Sequence, residues 1–159
     1  MIDVAIELLA NEVSQTVLFD TQAPWDTHST NVVQNGCFED TFAGLVALAE
    51  GLSANGLLER TTVLVVSEMG RTPKHNGVWG KDHWPYTSAM VFGAGVRAGV
   101  YGATDDELVA RNVDLETGAP DDRASPLRYD HFAAGVLELL GVDPGEHFPE
   151  VPPLRAFLA

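Results

Sequence analysis

The run Thr61-Thr62-Val63-Leu64-Val65-Val66 constrains this chain more than any other stretch, because it is β-branched at every position but one and shows no polar alternation. Such a run reads as a strand buried on both faces, the mark of a parallel sheet covered by helices. Ahead of it, Phe38, Phe42, Leu45, Ala49 and Leu52 repeat at helical spacing, with Glu39 and Asp40 placed toward the helix start and Asn55-Gly56 as its stop. Further upstream Thr16-Val17-Leu18-Phe19 reads as another short strand. Strand, helix and strand make a βαβ unit, so the expected class is α/β with a partial parallel sheet flanked by helices and joined by a right-handed crossover.

Other elements follow the same logic. Ile2, Ala5, Ile6 and Leu9 give a short amphipathic helix over 2–10, and Ala89-Met90-Val91-Phe92 a third strand. Residues 96 to 124 are broken by Gly99, Gly102, Gly118 and Pro120 into loops or hairpins. Ser125-Pro126 has the order of a capping hydroxyl and a first-turn proline, and opens a helix that ends at Gly141. The proline-bearing tail after Pro144 is expected to lie extended over the surface, and the chain as a whole, 159 residues, is expected to be a single domain.

Charge excludes several functions. Lys and Arg number 9 against 23 Asp and Glu, a formal net of −14, so nothing here suits the release of counterions from a nucleic-acid backbone. No apolar run reaches the length of a membrane span, and Met1-Ile2-Asp3 lacks the basic region of a secretory signal. The single cysteine, Cys37, forms no internal disulfide and reads as a small buried hydrophobe.

Polar chemistry concentrates in three clusters that follow strands or join them, where open α/β sheets bind ligands. In Trp25-Asp26-Thr27-His28, extended backbone points Asp26 and His28 the same way, toward one ion. Taken alone, an Asp-x-His is more often a turn with a solvated histidine. Ser67-Glu68-Met69-Gly70-Arg71 leaves the most apolar strand, so Glu68 is a candidate ligand, and Arg71 forks either onto an anionic ligand or onto Glu68 itself. Ser67 lacks the glycine-flanked elbow of a nucleophile. In Lys81-Asp82-His83, Asp82 either binds a metal with His83 or orients a neighbouring ligand.

Asp26, His28, Glu68, Asp82 and His83 together form an oxygen and nitrogen ligand set suited to a divalent metal, zinc first, with manganese or calcium as alternatives. Arg71 and Lys81 are the cations of the second and third clusters. His75 reads as a loop residue able to face the pocket, Asp130-His131 as an exposed helix turn, and His147 as solvated.

These blocks, Trp25 to Asn31, Val65 to Pro73 and Gly80 to Pro85, together with Gly102 to Asp106 and Leu139 to Pro144, resemble the signature segments of the sulfatase-like family called domain of unknown function 1501. That family is assigned to the alkaline phosphatase superfamily. The resemblance implies an alkaline-phosphatase-like fold and a metal-dependent hydrolase of phosphate or sulfate esters acting on a small anionic ester, and it implies export of full-length members. By the same resemblance Asp26, His28 and His83 stand at metal-ligand positions, and Arg71 or Lys81 would balance charge on the non-bridging oxygens of the ester. Ser67-Glu68-Met69-Gly70 stands at a Ser-Asp-His-Gly block, with Met69 in place of a ligand histidine. The superfamily carries its nucleophile in an N-terminal half that this sequence does not match. The chain is therefore expected to be the C-terminal part of a larger domain, inactive alone. The alternative is a non-catalytic, metal-stabilised binding or structural module.

Overall fold

The computed structural model describes all 159 residues, which divide into two compact units, Met1–Ala94 and Gly95–Ala159.

In the first unit, helix α1 (Ile2–Ala10) lays Ile2, Ile6 and Leu9 against Leu48, Leu52 and Leu57, the core contributed by helix α2 (Gln34–Ala54) and the turn after it. Leu52 is fully buried, a placement that stabilises by about 1.5–3 kcal/mol. The helices approach closely because Gly51 has no Cβ, which would overlap the Ile6 side chain. Helix α2 stops as expected, with Asn55 as its last cap and Gly56 left-handed at φ +66°. It begins earlier than the apolar repeat indicates, at the buried Gln34, so Glu39 and Asp40 fall beyond its first turn and do not offset the helix dipole. Cys37 is buried, as a small hydrophobe would be.

Strand β1 (Thr62–Val65) and strand β4 (Met90–Gly93) form at the expected places, but they pair with each other, antiparallel, from Thr62 opposite Gly93 to Val65 opposite Met90. The parallel sheet and right-handed crossover expected from the sequence are not formed. Thr16 to Phe19 is irregular, with Leu18 almost wholly exposed, so the crossover has no first strand. Nor is β1 buried on both faces, since Leu64 and the adjoining Val66 are exposed. A second antiparallel pair, β2 (Gly70–Arg71) with β3 (His83–Trp84), sits in the excursion between β1 and β4.

The second unit is built of isolated bridges and turns up to helix α3 (Tyr129–Leu139). This helix starts after Arg128 rather than at Ser125-Pro126, because Pro126 is held in a bridge to Asn112. Gly141 follows its end at φ +74°. The tail is not spread over the surface. Leu154, Ala156 and Phe157 are buried and form the core of the unit with Phe132, Val136 and Leu139. Closure requires Gly135, whose Cβ would overlap the Leu154 carbonyl oxygen. His131 is likewise buried rather than exposed, its Nδ1 2.8 Å from the carbonyl oxygen of Pro152.

Candidate metal centre

Two loops of the first unit build the site. One is the irregular segment Trp25 to Asn31, bent at His28 and Ser29 and anchored at its start by an edge-to-face contact of Trp25 with Phe38 of α2, ring centroids 5.0 Å apart. Thr27 is buried and points inward, its hydroxyl donating to Asn31 Oδ1 and accepting from Gln34 Nε2 at 2.8 Å. Asp26 and His28 flank it and meet each other, with Asp26 Oδ1 2.9 Å from His28 Nδ1. The other loop runs from β2 to β3, whose register sets Arg71 opposite His83.

Asp26, His28 and His83 meet, with one potential ligand atom from each lying within 4.8 Å of the others. Asp26 Oδ1 is 3.8 Å from His83 Nε2, and the two imidazole rings are tilted with centroids 4.8 Å apart. Arg71 donates from Nη2 to Asp26 Oδ1 at 2.6 Å and from Nη1 to the carbonyl of Lys81 at 3.2 Å. The guanidinium is mostly covered while Asp26 is open to water, their side chains 17% and 74% exposed. Arg71 thus pairs with Asp26, not with Glu68.

The hydrogen bond from Arg71 is the largest influence on the Asp26 carboxyl and holds it below its ordinary value of 3.8; loss of hydration comes next and opposes this, and the charges of His28, Arg71 and His83 add to the lowering. Its contribution to stability is therefore fully present above that value and lost as the pH falls through the folded-state midpoint. In a carboxyl-detected NMR titration the Asp26 midpoint is expected below 3.8, and Arg71→Ala should move it upward. An unmoved midpoint would remove Arg71 as the main cause.

The other candidates lie outside this cluster. Glu68 is exposed, its nearest polar neighbour the Ser67 hydroxyl at 3.5 Å. Asp82 Oδ1 accepts from Asn76 Nδ2 at 3.0 Å, and Lys81 Nζ donates to the Pro73 carbonyl at 3.2 Å. His147 is exposed. Asn76 is the residue that sequence reasoning passed over. Its amide donates to the His28 carbonyl and to Asp82, while its oxygen accepts from the N–H groups of Val78 and Gly80. The Asn76-Gly77 pair was its only signal, and that signal reads simply as a turn.

Gly80 joins the two loops. A Cβ there would overlap the carbonyl of His28, and the Thr27 carbonyl lies 2.6 Å away. Both obstacles are backbone, so Gly80→Ala should cost about 1–3 kcal/mol and separate His28 from His83. Gly77→Ala, where nothing lies within 4 Å, is the control and should leave thermal stability almost unchanged. Equal melting temperatures for the two variants would refute the contact.

A family model described as "Protein of unknown function (DUF1501)" matches residues 4–151. No curated protein and no solved structure matches the chain.

Proposed function

The chain belongs to the DUF1501 family, and we propose that Asp26, His28 and His83 hold one divalent metal, zinc in the first instance, as part of a sulfatase-like hydrolase of phosphate or sulfate esters in the alkaline phosphatase superfamily. One observation carries the reading: a carboxylate and two imidazoles from separate loops converge within 4.8 Å. The donor set fits the ion. Ligands about 2.0–2.1 Å from a tetrahedral zinc lie about 3.3–3.4 Å apart; the Asp26 separations of 2.9 and 3.8 Å bracket that value, while the set as a whole spans up to 4.8 Å, so the side chains would have to draw together around an ion. Two imidazoles and one carboxylate also leave a coordination position open, as catalytic sites require. Manganese suits the same donors, whereas calcium, which takes oxygen ligands, suits them less.

Asp26, His28 and His83 would hold the metal, and the chemistry it would supply is Lewis-acid polarisation of an ester oxygen. Arg71 orients the Asp26 carboxylate by its 2.6 Å bond and would place its positive charge near the non-bridging oxygens of a sulfate or phosphate held beside Asp26. Lys81 fixes the loop through Pro73. A second reading, a metal-stabilised binding module without turnover, is favoured by this use of the cations: Arg71 is already engaged by Asp26 and Lys81 by a backbone carbonyl.

The test is metal content of the purified chain, with hydrolysis of an aryl sulfate and an aryl phosphate assayed in the presence of zinc or manganese. One bound ion per chain with metal-dependent turnover supports the hydrolase outright, whereas one ion without turnover is the result expected both of a hydrolase part that lacks its nucleophile half and of the module, and supports the metal centre that the two share. A folded chain that takes up no metal sinks both.

A further inference from the structure

The same two loops form a second concavity with a different chemistry. Thr30, Asn31, Val32, Asn35, His75 and Trp79 line a shallow pocket of about 310 Å³. No carboxylate, lysine or arginine lines it, in a chain with a net charge of −14. Trp79 is 76% exposed, and its indole lies 6.2 Å from the tilted ring of His75. Asn31 spends its side-chain oxygen on Thr27, which leaves its amide N–H groups for a ligand.

The backbone at Trp79 is unusual. Its φ is +65°, in the left-handed region that a bulky residue rarely adopts, while neighbouring Gly77 and Gly80 are not left-handed. The conformation is imposed from both sides. Trp79 N–H donates to the Asn76 carbonyl, its own carbonyl accepts from Asn31 N–H at 2.9 Å, and the Asn76 side chain caps the N–H groups of Val78 and Gly80. Glycine would take this position without strain. The fold gains little from an indole that faces water, so the reason for tryptophan lies outside the fold.

We propose that this pocket binds a neutral sugar ring of a glycan, with the Trp79 indole as the stacking platform. A flat, exposed aromatic face matches the C–H face of a pyranose, and Asn31, Asn35, Thr30 and His75 offer uncharged partners to its hydroxyls. A nucleotide base would stack equally well, but its phosphates would meet no cation here and would be repelled by the net charge. The site does not depend on the metal reading, because none of its lining residues is in the Asp26, His28 and His83 cluster.

The test uses the full chain in EDTA, so that no ion contributes. It is applied to an array of neutral and sulfated glycans, and the best neutral oligosaccharide is then titrated calorimetrically. Binding to neutral glycans is expected and should persist in high salt, which screens charge attraction to within a few ångströms. Trp79→Gly should weaken it by about tenfold while leaving the melting temperature unchanged or higher. His75→Ala, which keeps the loop backbone, should weaken it as well. The proposal fails if no glycan binds, if only sulfated glycans bind and salt removes them, or if a nucleotide binds instead. It also fails if Trp79→Gly lowers the melting temperature or leaves affinity intact, since the indole then serves the fold or nothing.

Discussion

Replacing His83 by alanine should lower zinc affinity by at least about a hundredfold. Loss of groups that merely orient a ligand already costs 10–100-fold, and His83 is one of only three converging donors. Asp26→Ala should do the same, for the added reason that it strips the cluster of its one carboxylate and frees Arg71. The loss should also appear as stability. An ion present at a hundred times its dissociation constant stabilises the folded state by about 2.7 kcal/mol, so zinc should raise the melting temperature of the unsubstituted chain by several degrees and that of the variants hardly at all. Without metal, His83→Ala should fold normally, because its side chain is half exposed. His147→Ala, remote in sequence and exposed, is the control. Equal zinc-induced shifts in the His83→Ala variant and the unsubstituted chain would exclude His83 as a ligand.

Phe157→Ala should unfold the second unit. Truncating a buried phenylalanine costs about 3–5 kcal/mol, and a folded unit the size of Gly95–Ala159 has roughly 3–10 kcal/mol in all. Phe157 packs on Phe132 of α3 at a centroid distance of 5.8 Å and contributes its carbonyl to Arg97 N–H. Its loss therefore detaches the tail from the helix and from the bridge at Val96. Protease cleavage within residues 95–159 should accelerate sharply in the variant, while the core of the first unit around Leu52 stays protected. Unchanged cleavage there would mean that the tail does not hold the unit together.

What could be read from the sequence was what local spacing decides. Helix α1 has the expected bounds, the stops at Asn55-Gly56 and Gly141 are where the glycines put them, and β4 is shifted by one residue. Asp26 and His28 do meet, but over a turned backbone with Thr27 anchored inward between them rather than over the extended one that the sequence suggested. Pairing partners were not legible. A β-branched run states that it will be a strand, not which strand it will meet, and β1 met β4 across the excursion instead of Thr16 to Phe19. The tail misled for a related reason. Its prolines suit an extended path, but Leu154, Ala156 and Phe157 between and after them supply the apolar surface that α3 needs. His131 went with it, since its partner is a carbonyl of that same tail. Glu68, Asp82 and Lys81 have the right chemistry at nearly the right place, and the register of β2 with β3 faces Arg71 and His83 to Asp26 in their stead.

The excursion between β1 and β4 is tied within itself by the β2–β3 pair, and to the Trp25–Asn31 segment by the close approach of Gly80 to His28 and the bonds from Asn31 N–H to the Trp79 carbonyl and from Asn76 to the His28 carbonyl. Closing a loop costs entropy that rises only with the logarithm of its length, about 0.6 kcal/mol per doubling. The untied spans, 66–69 and 87–89, can therefore gain residues at little expense. An insertion at 77–79 would carry Trp79 and Gly80 off the segment they touch. Length variation compatible with this architecture is confined to the two short spans outside the ties, so the chain can diverge there without disturbing the residues that gather around Asp26.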